Sequence, residues 1–104
     1  MNTEKESMKK YLENPIPLTV EDQDAGFEEI RKEALKKAME ISPDPVLLAW
    51  YEGKTGKSVP ANVCVRENKP AWIVFAESRG ADIVIDVNDE TYIFMFKGQT
   101  DPEQ

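Results

Sequence analysis

The sequence predicts an α+β domain in which an amphipathic helix, preceded by a short N-terminal helix, packs on a four- or five-stranded antiparallel meander sheet. Three observations carry that expectation. Phe27, Ile30, Ala34, Ala38 and Ile41 fall on one helical stripe within residues 24–41. Past Ser42-Pro43-Asp44-Pro45 the period changes from helical to alternating, and five segments rich in β-branched and aromatic residues follow, at 46–52, 57–65, 71–77, 82–88 and 91–97. The connections between them are short and carry turn residues, which favours antiparallel neighbours. All 104 residues are read as one domain.

Taken in chain order, Thr3-Glu4-Lys5-Glu6 has the form of a capping box, with Met8, Tyr11 and Leu12 at helical spacing behind it, so a short helix is expected over 4–13. Asn14 and Pro15 end it. Pro15-Ile16-Pro17-Leu18 reads as an extended connector lying along the body, because proline biases the residue before it away from helix. Residues 1–20 thus form an N-terminal arm. In the main helix Glu29, Lys32, Glu33, Lys36 and Glu40 occupy the wet side, and Glu28 with Lys32 and Glu33 with Lys37 make favourable pairs four residues apart. Arg31 sits at the edge of the apolar stripe, beside Phe27 and Leu35. Its plain role there is a stem lying on apolar surface with the guanidinium in water; its functional one is to hold a ligand carboxylate. Residues 45–52 fit a strand, or a short helix begun at Pro45. Residues 98–104 read as a frayed tail.

One stretch resembles named chemistry. Glu52-Gly53-Lys54-Thr55-Gly56-Lys57-Ser58-Val59-Pro60 ends its middle in Gly-Lys-Ser, as a phosphate-binding loop does. That loop needs an early glycine at position 51, where this chain has Tyr51, and a helix starting at the lysine, where this chain has a strand-like run containing Pro60. A hairpin turn through Gly53-Lys54-Thr55-Gly56, with Gly56 left-handed, accounts for the same letters.

Composition narrows the chemistry further. There is no histidine and one cysteine, Cys64, which removes Cys/His zinc sets and histidine-based triads, so no metal, no cofactor and no catalytic residue is expected. Cys64 shares a strand face with Arg66, which would lower its pKa, but a lone cysteine between two valines is foremost a small buried filler. Asp86-Val87-Asn88-Asp89-Glu90 is crowded with oxygen ligands, yet a calcium loop begun at Asp86 would need glycine where Thr91 stands and glutamate where Lys97 stands. A tight turn through Asn88-Asp89 explains it. Asp82, Val84 and Asp86 share one strand side, expected to be wetted. Net charge −7 with scattered bases disfavours nucleic acid, no window has the length of apolar run that a membrane span needs, and the lone cysteine suits a reducing cytoplasm.

The most suggestive feature is apolar. Residues 72–76 and 92–96 carry large apolar side chains at successive positions, so as strands they ask for cover on both faces. One helix covers one face; the arm 1–20, a second copy or a ligand would have to cover the other. That places Trp72, Val74, Tyr92, Phe94 and Phe96 at an expected interface and makes a homodimer or a protein partner the expected state. The favoured function is a non-catalytic interaction or structural protein. The alternative is a small-molecule binder or minor enzyme with a pocket between helix and sheet, using Arg31, Arg66, Glu77, Arg79 or Asp86. An acidic decoy for a nucleic-acid-binding protein ranks last.

Overall fold

The computed structural model describes residues 11–12, 14–21, 26–59 and 70–98. Among these the elements run β1 (Ile16–Leu18), α1 (Phe27–Met39), β2 (Val46–Glu52), β3 (Ser58–Val59), α2 (Ala71–Ser78), β4 (Ile83–Val87) and β5 (Tyr92–Lys97). The strands form one sheet in the order β1-β4-β5-β2-β3. β2/β3, β2/β5 and β4/β5 are antiparallel, while β1 lies parallel to β4, with Ile16 opposite Ile85 and Leu18 opposite Val87. The α+β class holds. The all-antiparallel meander does not: the sheet is mixed, and β2 is flanked by β5 as well as by β3, so the strands do not follow one another in chain order.

The cause is residues 71–77, expected as a strand, which form most of α2. The run Ala-Trp-Ile-Val-Phe-Ala is apolar throughout, so periodicity cannot separate a buried helix from a buried strand. Its ends decide. Pro70 stands at the N-cap, where a missing N–H is harmless. At the other end Gly80 takes φ +91°; its N–H donates to the Glu77 carbonyl at 3.1 Å, and the Ala81 N–H donates to the Ala76 carbonyl at 3.0 Å. Those two bonds are the Schellman closure, which needs a left-handed residue just past the helix.

α2 therefore supplies the cover that the sequence left unassigned. Trp72, Ile73 and Ala76 are buried against Ala49, Tyr51, Val84, Ile93 and Met95 on one face of the sheet, together with Leu12. Trp72 stacks on Tyr51 with centroids 5.3 Å apart and planes 8° from parallel. On the opposite face Ile30, Ala34 and Ala38 of α1 pack on Ile83, Ile85, Val87, Phe94 and Phe96. Phe27 seals that layer's end against Trp50, Tyr92 and Phe94, at centroid distances of 5.1, 5.9 and 5.9 Å. One chain thus covers both faces of its own sheet.

β2 can serve both layers because of an irregularity. Its register against β5 shifts between Leu47 and Ala49, an extra residue that puts Leu47 on the α1 side and both Leu48 and Ala49 on the α2 side. The strand reading of 46–52 holds, and the helical one is set aside.

α1 carries acids in its first turn and lysines in its last, which suits the helix dipole. Glu28 meets Arg31 at 3.0 Å and Glu33 meets Lys36 at 3.6 Å, one residue earlier on the helix than the expected partners. Ile41, expected on the buried stripe, is 53% exposed because α1 stops at Met39 and the chain turns away. Gly98, expected to fray, is buried and donates its N–H to Asp82 Oδ1 at 2.8 Å.

The leading arm becomes a strap around the β4 edge. Tyr11 and Leu12 join the α2-side core, Asn14 turns the chain at φ +50°, and Ile16, Leu18 and Val20 pack on the α1 side. Within the expected connector, Ile16–Leu18 form a real edge strand. The expected helix over 4–13 lies outside the described residues except at Tyr11 and Leu12, as do Cys64, Arg66 and the expected strand beyond Val59.

Candidate functional site: a cleft at the turn end of the sheet

Two hairpin turns meet at one end of the sheet. In the β2–β3 turn the Glu52 N–H donates to the Lys57 carbonyl at 2.8 Å and the Gly56 N–H to the Glu52 carbonyl at 2.9 Å, with Gly56 at φ +79° as the hairpin reading requires. In the β4–β5 turn Asn88, Asp89 and Glu90 all take positive φ, +49°, +56° and +74°. Three successive left-handed residues other than glycine are strained. The turn is held by the Thr91 N–H on the Val87 carbonyl at 3.0 Å and by the Glu90 N–H on Asp86 Oδ1 at 2.6 Å. The two turns are locked to each other: the Gly53 N–H donates to the Thr91 carbonyl at 2.8 Å, and Gly53 lies so close to the Glu90 carbonyl that a side chain has no room.

Beside these turns the chain leaving β1 forms a third wall. Thr19, Val20 and Glu21, Lys54 of the first turn, and Asn88 and Thr91 of the second line a half-open cleft of about 650 Å³. Asn88 is fixed against Val20 by two hydrogen bonds, and the Thr91 hydroxyl donates to the Asn88 carbonyl at 3.0 Å. Lys54 and Glu21 are exposed at the rim. Sequence reasoning placed Lys54 and Asn88 in turns, but joining them across the sheet needs the β2/β5 pairing, which no local pattern encodes.

Among the described residues, the expected ligand residues do not converge. Arg31 stands on α1 paired with Glu28, while Glu77 lies on α2, on the opposite side of the sheet, and Arg79 is that helix's C-cap. Arg79 lies over the Phe75 ring, 3.9 Å from its centroid, with Nη1 3.3 Å from Ser78 Oγ. Asp86 is not on a wetted face: it is 4% exposed, Val84 beside it is 6% exposed, and its carboxylate ties down the β4–β5 turn. The helix–sheet interfaces expected to hold a pocket are filled by apolar side chains. Of the expected interface residues, Trp72, Phe94 and Phe96 are spent on the chain's own two cores, Tyr92 is half-buried in the α1-side layer, and Val74 alone is exposed, at 38%.

Two tyrosines at this end hold their protons tightly. Burial pushes the Tyr51 hydroxyl above its ordinary 10.0, and the Glu90 carboxylate adds to the rise; Tyr92 is raised by burial and then by Glu52. Both stay neutral phenols near neutral pH. Among the described residues no group of three or more Asp, Glu, Cys or His side chains has metal-ligand geometry, and no helix is long and apolar enough to cross a membrane.

A family model described as "Domain of unknown function (DUF5619)" matches residues 13–96. The chain belongs to that family. The DUF5619 match runs from just ahead of Asn14 through Phe96, so it takes in both helices, the cleft walls and all of the sheet but Lys97. A crystal structure of AF1514 from Archeoglobus fulgidus, described as a novel non-family-model protein, is similar with a TM-score of 0.70 and 28% identity, covering 86% of this chain and 99% of that one. No curated protein matches.

Proposed function

We propose that the chain is a non-catalytic cytosolic interaction domain that pairs with a second copy of itself at the corner where α1 hands over to β2. The observation that carries this reading is the exposure of Met39 (52%), Ile41 (53%) and Val46 (45%) along one short length of chain, while both sheet faces are sealed. Large apolar side chains gathered at one place on a soluble surface mark contact sites. Charge favours a second copy as the occupant. The whole chain, at −7, repels its like, but Lys36 and Lys37 beside this corner are matched by Glu33 and Glu40, at 3.6 and 3.5 Å. A two-fold contact sets a patch against itself, so a balanced patch is where copies approach with least opposition. The lack of histidine and the single cysteine support the non-catalytic part. Light scattering tests it: the parent is expected at roughly twice the protomer mass, and Ile41→Glu at the protomer mass with an unchanged melt. A parent that weighs one protomer at every concentration would overturn the reading.

A second reading, small-molecule binding, is supported by the cleft, where Lys54 is part of the lining, exposed, and has no ion-pair partner among the described residues. It predicts that some metabolite raises the melting temperature as its concentration passes its dissociation constant, and that Lys54→Ala abolishes the shift without unfolding the chain. A broad metabolite panel that leaves the parent's melting unmoved would end it.

A further inference from the structure

A strand at the rim of a sheet offers unpaired N–H and C=O groups on which another extended chain can add. β1 is such a strand, parallel to β4 on its inner side. Backbone polar groups alternate sides along a strand, and here the phase is fixed by observed bonds. The Leu18 carbonyl accepts the Asn88 N–H at 2.9 Å, and the Val20 N–H and carbonyl both meet the Asn88 side chain. Residues 16, 18 and 20 therefore turn their polar groups inward. By the same phase residues 15, 17 and 19 face outward; the one inside β1 and the one leading into it are Pro17 and Pro15, while Thr19 lies past the strand's end. Proline has no N–H to give.

We infer that Pro15 and Pro17 close the outer edge of β1 against strand addition by another extended chain, a second copy of this one included. The spacing carries the point: a single proline would leave the neighbouring outward position able to donate, whereas Pro-Ile-Pro-Leu removes both donors while Ile16 and Leu18 stay free to pack on the α1-side core. Without the prolines this edge would be short but flat, beside an apolar layer. The device also confines association to other surfaces, which is compatible with the corner contact but does not depend on it.

The test is made in the Ile41→Glu background, so that corner pairing does not contribute. Pro15→Val with Pro17→Val restores both donors on an apolar edge; Pro15→Lys with Pro17→Lys restores them beside charges that keep edges apart. Circular dichroism first establishes that each variant is folded, and light scattering then follows mass against concentration. The valine pair is expected to rise roughly twofold or more above the background protein, and the lysine pair to stay level with it. A folded valine pair that keeps the background mass at every concentration overturns the inference. So does a lysine pair that associates as strongly, since that would trace association to a loosened strap rather than to restored donors. Should the double valine change unfold the chain, Pro17→Thr alone restores the central donor and is judged by the same two outcomes.

Discussion

The side chain of Asn88 bonds both backbone groups of Val20: its Oδ1 accepts the Val20 N–H at 2.9 Å, and its Nδ2 donates to the Val20 carbonyl at 3.1 Å. β4 ends at Val87, so this amide continues the parallel pairing with β1 after the backbone of β4 has turned away. Only asparagine or glutamine sets a carbonyl acceptor and an NH2 donor side by side on one planar amide, and asparagine also tolerates the φ of +49° found here. Asn88→Asp keeps the acceptor and the backbone preference but loses the donor, setting a carboxylate against a carbonyl. It is expected to cost about 0.5–1.5 kcal/mol in urea unfolding, since both bonds are solvent-exposed. A cost no larger than that of an exposed surface change would mean that the clamp does not hold the strap.

Gly53 is fixed by contact rather than by dihedral angle. A Cβ there would collide with the Glu90 carbonyl oxygen, which is backbone and cannot swing aside. Gly53→Ala should lose about 3 kcal/mol or fail to fold, whereas Gly56→Ala, where no atom lies within 4 Å but φ is +79°, should lose only about 1–2 kcal/mol. Equal losses in chemical denaturation would contradict the locked turns.

The strained turn offers a gain. Glu90 holds φ +74°, in the left-handed region that glycine enters without a Cβ penalty. Glu90→Gly is expected to raise stability by about 1 kcal/mol, read as a higher melting temperature. A fall would show that the Glu90 side chain contributes more than its backbone costs.

Alkaline pH should weaken the fold. Tyr51 and Tyr92 both have folded pKa values raised above 10.0, so the folded state holds the phenolic protons more tightly than the unfolded chain does. That contribution is complete below pH 10 and disappears as pH climbs through the raised values, so stability falls over that window. Tyr51→Phe should flatten part of the fall. Glu90→Gln should bring the Tyr51 titration, followed by ultraviolet absorbance, down toward its ordinary value, though not all the way, because burial is the larger cause.

Much of this was legible in the sequence. The α1 stripe, the strands at 46–52, 82–88 and 91–97, and the left-handed turns at Gly56 and Asn88-Asp89 all follow from local chemistry, and their bounds shift by a few residues at most. α2 was missed because six apolar residues in a row have no period to read, although Pro70 ahead of them and Gly80 behind them were the available signs of a helix. That one misassignment created the expectation of an uncovered face, and with it the placing of Trp72, Phe94 and Phe96 at an interface. The cleft was beyond reach for a different reason. Its walls come from the chain just past β1, the β2–β3 turn and the β4–β5 turn, and only the strand order brings them together.

The central claim is that one chain seals both faces of its sheet and associates only at the α1–β2 corner. Dilution followed at once by light scattering and by far-ultraviolet circular dichroism tests it most directly. The mass should drop from two protomers to one while the dichroism signal stays constant, because each separated copy keeps its own two cores. Loss of the signal in step with the mass would mean that the copies complete each other's fold, and would contradict the account.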